Sequence, residues 1–262
     1  MTLPRDLSLP ADLSARVADC AWQMATMSWS GARVFRLRRP DNVIWYLKVA
    51  AGWLAGELQH EAAVMRWLAG KLPAPRCLYF ARQEEDAYLL MTALAGADVT
   101  HFNDQSDAAK ETAVRLLASG LRQLHSVPVA DCPFDQRLAM KMPAAQSRLL
   151  AGLVDESDFD VEMPASHAYQ ELLRTRPPDE DLVFTHGDYC LPNIMVWDEQ
   201  VSGFIDLGRA GIADRYQDLA LCTRSLGHNF GPGWDTRFLT HYGLPEPDAA
   251  KVAFYRLLDE FF

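Results

Sequence analysis

Apolar and polar positions along the chain change their period once, near residue 95. Before that point short apolar runs dominate. Residues 34–37 and 43–49 read as strands around the polar turn Arg39-Pro40-Asp41-Asn42, and 78–80 and 88–91 read as two more, split by a polar turn at 83–86. Between the two pairs, Leu58, Met65 and Leu68 recur at helical spacing, which predicts a helix over 54–72 closed by Pro73-Ala74-Pro75. The expected unit is a small five-stranded antiparallel sheet with one helix packed on it. After Gly96 the period becomes helical. An amphipathic helix is predicted over 106–125, a connection passes through Pro128 and Pro133, and a second helix is predicted over 135–153. An acidic stretch without clear period follows at 155–162, and Pro177-Pro178-Asp179 turns the chain into an apolar strand ahead of His186. The last third, 214–262, is again helical, interrupted at Gly231-Pro232-Gly233. No internal repeat or low-complexity tract occurs. The predicted class is α+β in two lobes: a small antiparallel β-sheet lobe over 1–95 and a larger, mainly helical lobe over 96–262.

Composition narrows the function more than the fold. A net charge of −10 supplies no basic face, so nucleic acid is not an expected partner. The same acidity suits a cationic substrate, although solubility alone also accounts for it. Five scattered cysteines, an odd number without a C-x-x-C pair, read as reduced thiols in a cytoplasmic protein. Residues 1–12 carry neither an apolar run nor a basic leader, so no signal peptide is expected, and no apolar run approaches the ~18 residues of a membrane helix. His60-Glu61-Ala62-Ala63-Val64 begins like a zinc-binding H-E-x-x-H, but Val64 stands where the second His is needed, so no structural zinc is expected. A monomer or weak homodimer is expected.

The chemistry-bearing stretch is 183–206. Asp188 follows an apolar strand, Asn193 comes five residues later, and Asp206 ends the next apolar strand. Phosphoryl transfer needs placed charge more than covalent chemistry: a cation on the nucleotide phosphates, oxygen ligands for magnesium, and a carboxylate beside the attacking hydroxyl. Asn193 and Asp206 are suitable magnesium ligands, and Asp188 is a candidate to take the acceptor's proton. A lone Asp in a turn is usually an Asx-turn or helix cap; three such groups in register around two strands argue for more. His186 reads as a satisfied structural donor rather than a base. Cys190 lies in the same loop but has no neighbouring base to activate it. In the first lobe, strand alternation places Ile44, Tyr46, Lys48 and Ala50 on one face. A lysine inside an apolar strand is costly unless paired or aimed at a ligand, with an edge strand and a snorkelling side chain as the alternative. Tyr46, about 7 Å away on the same face, suits a ring beneath a base. Glu61 falls on the apolar stripe of its helix with Leu58, Met65 and Leu68, so it needs a partner, and Lys48 is the one expected. Glu57 is the rival, beside the stripe rather than within it. No G-x-G-x-x-G or Walker sequence is present; Ser28-Trp29-Ser30-Gly31-Ala32-Arg33 occupies the place of a nucleotide-covering loop.

The spacing resembles the protein-kinase catalytic loop H-R-D-x-x-x-x-N followed by D-F-G, with Gly187 in place of Arg and Leu207 in place of Phe. More closely, Thr185-His186-Gly187-Asp188, Pro192-Asn193-Ile194-Met195, Gly203-Phe204-Ile205-Asp206-Leu207-Gly208-Arg209, Asp214-Arg215-Tyr216-Gln217-Asp218 and the terminal Leu258-Asp259-Glu260-Phe261-Phe262 resemble the aminoglycoside phosphotransferases, in particular those acting on the 3′-hydroxyl of kanamycin-type drugs. The resemblance covers nearly the whole chain and implies a two-lobed, protein-kinase-like fold, ATP and Mg2+ as cofactors, and antibiotic resistance as the outcome. It implies Asp188 as catalytic base, Asn193 and Asp206 as magnesium ligands, Lys48 on the phosphates held by Glu61, Tyr46 stacked on adenine, Ser30 in the nucleotide loop, and backbone groups of Thr92 and Leu94 at the hinge. It assigns nucleotide binding to 1–95 and catalysis with substrate binding to 96–262. For a polyamine substrate it implies Asp155 and Asp158 in a substrate loop, Arg209 nearby, and Glu260 with the Phe262 carboxylate opposite. It implies that Asp218 bonds the catalytic-loop backbone. One departure stands out: Gly227-His228-Asn229 replaces residues that are commonly acidic in that family. Kinases for choline, macrolides or sugars, a non-catalytic pseudokinase, and a metal-dependent phosphohydrolase using His186, Asp188 and Asp206 remain alternatives; the last leaves Lys48 and Glu61 unexplained.

Overall fold

The computed structural model describes residues 7–25, 32–156, 159 and 163–262. They form two compact units, one of residues through Ala95 together with Gly203–Arg209, the other of Gly96–Ser202 and Ala210–Phe262. The α+β class holds: one unit is an antiparallel sheet with helices, the other is mainly helical.

The first unit is built on strands β1 (Ala21–Met24), β2 (Arg33–Arg38), β3 (Ile44–Ala51), β4 (Cys77–Gln83) and β5 (Asp86–Thr92). They form one sheet in the order β1-β2-β3-β5-β4, antiparallel throughout. Alternation along β3 buries Leu47 and Val49 in a core with Phe35, Leu37, Tyr88, Leu90 and Trp22. A helix that the sequence reading did not anticipate, α1 (Ala11–Val17), closes this face with Leu13 and Val17, one turn apart. The expected helix, α2 (Leu54–Leu68), buries Leu58, Glu61, Met65 and Leu68. It stops four residues short of the expected end at 72, because Gly70 takes φ +79° and the Lys71 N–H turns back onto the Leu68 carbonyl. Residues 203–209 join this unit although they lie far along the chain. Phe204 donates its N–H to the Pro73 carbonyl at 3.1 Å. Gly203, at φ +153°, permits the approach: a Cβ there would stand 2.7 Å from that same carbonyl oxygen.

The second unit holds helices α3 (Asp107–His125), α4 (Leu138–Leu150), α5 (Ala165–Thr175), α6 (Tyr216–Phe230), α7 (Trp234–Tyr242) and α8 (Ala249–Asp259). Strand β7 (Leu182–Thr185) pairs antiparallel with β10 (Gly211–Asp214), and β6 (Ala97–Asp98), β8 (Ile194–Trp197) and β9 (Gln200–Phe204) form a small three-stranded sheet. Ser106 and Asp248 cap α3 and α8 through their side-chain oxygens. Helix α4 begins three residues later than expected, because residues 134–136 give their backbone groups to β10: Gln136 N–H donates to Ile212, and Ile212 N–H donates to Phe134. Helix α5, buried through Ala165, Ala168, Tyr169 and Leu172, was not anticipated. Among the described residues no helix is long and apolar enough to cross a membrane.

Gly96, at φ +93°, opens the second unit against the Val196 carbonyl oxygen, which a Cβ would meet at 1.9 Å. Gly96→Ala is therefore expected to lower stability by more than about 2 kcal/mol. Chemical denaturation of the two proteins measures this; an unchanged midpoint would show that the segment is free to move aside.

Candidate active site

Two groups of polar side chains stand out, one in each unit. In the first, β3 presents Lys48 on the face opposite Leu47 and Val49, and α2 presents Glu61 on its apolar stripe. The Lys48 amine donates to both Glu61 oxygens, at 2.8 and 2.9 Å, and to Asp206 Oδ1 at 3.0 Å. Glu61, rather than Glu57, is thus the lysine's partner. Glu61 is 1% exposed, and the Leu207 N–H donates to it as well. Burial alone would lower the Lys48 pKa, but the Asp206 and Glu61 carboxylates overcome it and hold the amine above the ordinary lysine range. Burial pushes the Glu61 carboxyl upward, and Lys48 draws it back. Asp206 is exposed and sits at φ +60°, a left-handed conformation that Asp tolerates better than most residues. Tyr46 lies two residues before Lys48, on the same strand face. Thr92 ends β5; its N–H is taken by the Arg76 carbonyl at 3.1 Å, and its hydroxyl accepts from the Arg76 N–H.

In the second unit the loop after β7 carries Asp188 and Asn193. The Asn193 amide nitrogen donates to the Asp188 carbonyl at 3.0 Å and to Asp188 Oδ2 at 2.9 Å, with Cys190 Sγ at 3.1 Å. Its nitrogen side is therefore turned into the loop and its oxygen the other way. Gly187, at φ +82°, makes the bend. Asp218, fully buried on α6, holds the loop's start: it accepts the His186 N–H at 2.8 Å and the Gly187 N–H at 2.9 Å. The structural role implied for Asp218 is the one observed. His186 is buried against the Tyr189 ring, and its Nδ1 accepts the Asp188 N–H at 3.3 Å.

The remaining sequence candidates are dispersed. Glu260 accepts from Arg224 at 2.7 Å, and Arg224 also pairs with Asp259. The Phe262 ring lies under the Lys141 amine. Asp155 is exposed after α4, and Arg209 is half-buried at the end of the 203–209 segment. Leu94 is half-buried beyond β5. Ser30 and Asp158 lie outside the described residues. His228 is exposed on α6, and Asn229 is held by Ser225 and Asn103. Among the described residues no group of three or more His, Cys, Asp or Glu is arranged to hold a metal ion. The sequence reading missed three supports: the Leu207 N–H on Glu61, Arg224 beneath the two terminal acids, and His125, whose Nε2 meets Asp218 at 3.0 Å. Only the last residue of an amphipathic helix marks His125, which is no signal for a buried polar contact.

Taken unit by unit, the groups are a fixed ammonium with an exposed carboxylate in the first and a half-buried carboxylate with an amide oxygen in the second, the types that phosphoryl transfer uses. A family model described as the phosphotransferase enzyme family matches residues 28–255. The chain is 40% identical to an aminoglycoside 3′-phosphotransferase of Niallia circulans over 256 residues, covering 97% of each. It is 38% identical to one of Escherichia coli over 258 residues, covering 97% of this chain and 95% of the other. Among solved structures, an aminoglycoside-3′-phosphotransferase of type VIII superposes with a TM-score of 0.87 at 37% identity, covering 96% of this chain and 97% of that one. The aminoglycoside phosphotransferase APH(3″)-Id of Streptomyces rimosus, in complex with ADP and streptomycin, superposes at 0.81 with 28% identity and 95% coverage of both chains.

Removing the Glu61 carboxylate leaves a buried amine with the exposed Asp206 as its remaining partner among the described residues. Glu61→Ala is expected to cost about 3 kcal/mol, read from the denaturation midpoint; a loss below about 0.5 kcal/mol would mean that the pair contributes nothing to the fold.

Proposed function

The chain belongs to the phosphotransferase enzyme family, with the aminoglycoside 3′-phosphotransferases, and on that premise we propose that it transfers the γ-phosphoryl group of ATP, with magnesium, to the 3′-hydroxyl of kanamycin- or neomycin-type aminoglycosides. Resistance follows, because a neutral hydroxyl becomes an anion that ribosomal RNA disfavours. The observation that carries the reading is Lys48 clamped on buried Glu61 with Asp206 on its third side, a costly arrangement with no structural need for its exposed acid.

On this reading residues 1–95 bind the nucleotide and 96–262 supply catalysis and the substrate surface. Lys48 offsets phosphate charge, and Tyr46 stacks under adenine. Ser30 serves the nucleotide loop. Since the Thr92 N–H is taken by Arg76, adenine recognition falls to the Thr92 carbonyl and the Leu94 backbone. A hard cation suits each donor by itself: Asp206 presents an exposed carboxylate, and Asn193 turns its amide oxygen away from Asp188. Asn193 and Asp206 would hold the magnesium, which when bound neutralises phosphate charge. Asp188 takes the proton of the attacking hydroxyl and is fixed for it by the Asn193 amide. Asp155, Asp158, Glu260 and the Phe262 carboxylate meet drug ammonium groups, with Arg209 beside them. Arg224 orients Glu260 and also dilutes its charge. Together with His228 and Asn229 in place of acids, this narrows the range toward drugs with fewer amines near α6.

Asp188→Ala is expected to lower turnover at least ~10²-fold with nucleotide affinity retained, and Asp206→Ala to abolish magnesium-dependent nucleotide binding, both read by ATP titration and coupled ADP release. A near-normal rate in Asp188→Ala removes the assignment. Expression in susceptible bacteria should permit growth on kanamycin or neomycin and not on a macrolide; the reverse pattern would select the macrolide alternative.

A further inference from the structure

Behind the catalytic loop a line of hydrogen bonds runs outward through residues that have no part in the scheme above. Asp218 Oδ2, which accepts the His186 N–H, is also 3.0 Å from His125 Nε2, at the end of α3. His125 Nδ1 is 2.8 Å from the Tyr242 hydroxyl, at the end of α7. Arg215 Nη1 donates to that hydroxyl at 3.2 Å. Arg215 is anchored by Asp181: Nη2 donates to Oδ1 at 3.1 Å, while Nε lies 2.6 Å from Oδ2 off its N–H axis, as an ion pair.

With one hydrogen on the His125 ring, the chemistry of the groups assigns the rest of the line. A carboxylate only accepts, so Nε2 of His125 carries the hydrogen. Nδ1 is then the ring's acceptor, so the Tyr242 O–H donates to it. A guanidinium only donates, so the Tyr242 oxygen receives Arg215. Burial holds the Tyr242 phenol above its ordinary value against the pull of Arg215, which keeps the hydroxyl proton in place. The charged and titratable groups that face His125 and its neighbours include Asp218 on α6, Tyr242 on α7, Arg215 and Asp181 before them, and the buried Cys222 thiol and Tyr189 phenol near Asp218.

We propose that Tyr242 is a positioning residue for phosphoryl transfer: its hydroxyl, oriented by Arg215, fixes His125 as the Nε2–H tautomer, so that Asp218 keeps the His186 and Gly187 N–H groups, and with them Asp188, in register. The proposal rests on the reading of Asp188 as the proton acceptor. Without the hydroxyl, Nδ1 is a buried acceptor with its partner gone. Nothing then fixes the ring in the Nε2–H tautomer. The other tautomer removes the Nε2 donor, so the Asp218 carboxylate loses one of its three donors and its fixed hold on the two loop amides. Tyr242 also packs edge-on to His125, with ring centroids 5.8 Å apart, and stacks on Phe238 at 6.3 Å. A Phe at this position keeps those contacts and removes only the oxygen, which separates positioning from packing.

The test uses the full chain and the variants Y242F, R215Q, H125Q and H125F. ¹⁵N spectra report the His125 tautomer, amide exchange reports His186 and Gly187, and kinetics with Mg-ATP and kanamycin separate kcat from KM. The expected result is a single Nε2–H tautomer in the unsubstituted protein. Y242F should lose it, exchange faster at both loop amides, and show kcat lowered about tenfold with KM for ATP within about twofold. H125Q, whose amide can still donate to Asp218, should retain more activity than H125F. A wild-type kcat and unchanged loop exchange in Y242F overturn the proposal, as does an Nδ1–H tautomer in the unsubstituted protein. If Y242F does not fold, R215Q decides by the same three readouts, and unchanged values there overturn it. If the unsubstituted protein phosphorylates no aminoglycoside, the functional reading fails, while the tautomer and the loop exchange still decide whether Tyr242 positions the loop.

Discussion

A carboxylate on the apolar stripe of α2 sets the terms for the first unit. Glu61 is almost completely buried, and a buried charge persists only with a partner close enough to offset its lost hydration. Lys48 is that partner. Its place on β3 is dictated by alternation with Leu47 and Val49, which pack into the opposite core. The helix therefore lies against the sheet face that carries Lys48 and Tyr46, and α1 covers the other. The Leu207 N–H adds a further bond to Glu61, which ties the 203–209 segment to the same carboxylate. One buried acid thus organises a strand, a helix and a distant stretch of chain.

The second unit solves a related problem with the roles reversed. A tight loop exposes backbone N–H groups to an apolar interior, and Asp218 satisfies two of them. A carboxylate with no exposed surface is tolerated there because three donors converge on it, His125 being the third. Asn193 then closes the loop from its far end by bonding both the backbone and the side chain of Asp188. The half-buried acid is left with a fixed geometry although it sits on a loop.

What was legible in the sequence follows from cost. Lys48 in an apolar strand and Glu61 on an apolar stripe violate the binary pattern, and a violation that persists implies a partner, so their pairing could be read without coordinates. The polar turn at 39–42 and the glycines at 231 and 233 likewise carried their own backbone requirements. Helix α5 was missed although Ala165, Ala168, Tyr169 and Leu172 keep helical spacing, because two of the four are alanines and the acidic stretch ahead of them masks the start. Helix α1 offers only Leu13 and Val17, too few to establish a period. His125, Tyr242 and Arg215 were illegible for a different reason. Each is unremarkable in its own helix or turn, and their hydrogen bonds span 93 and 117 residues to Asp218 and Tyr242 from His125. Long-range polar pairs leave no local signature unless they break a pattern.

The Lys48 amine also constrains how the first unit meets a ligand. An ammonium has three protons. Two are directed at Glu61 and one at Asp206. The partners differ in cost of removal, since Glu61 has no solvent to turn to while the Asp206 side chain is about half exposed. On the proposed reading, Asp206 rather than Glu61 is the partner of Lys48 that costs less for a phosphate to displace. Asp206 is also the residue that would hold magnesium on the proposed reading, so one exposed carboxylate serves both the ion pair with Lys48 and the proposed cation site. Asp206 presents that carboxylate from a left-handed backbone conformation, which an aspartate tolerates better than most residues, so the exposed acid keeps one fixed direction of approach to the lysine.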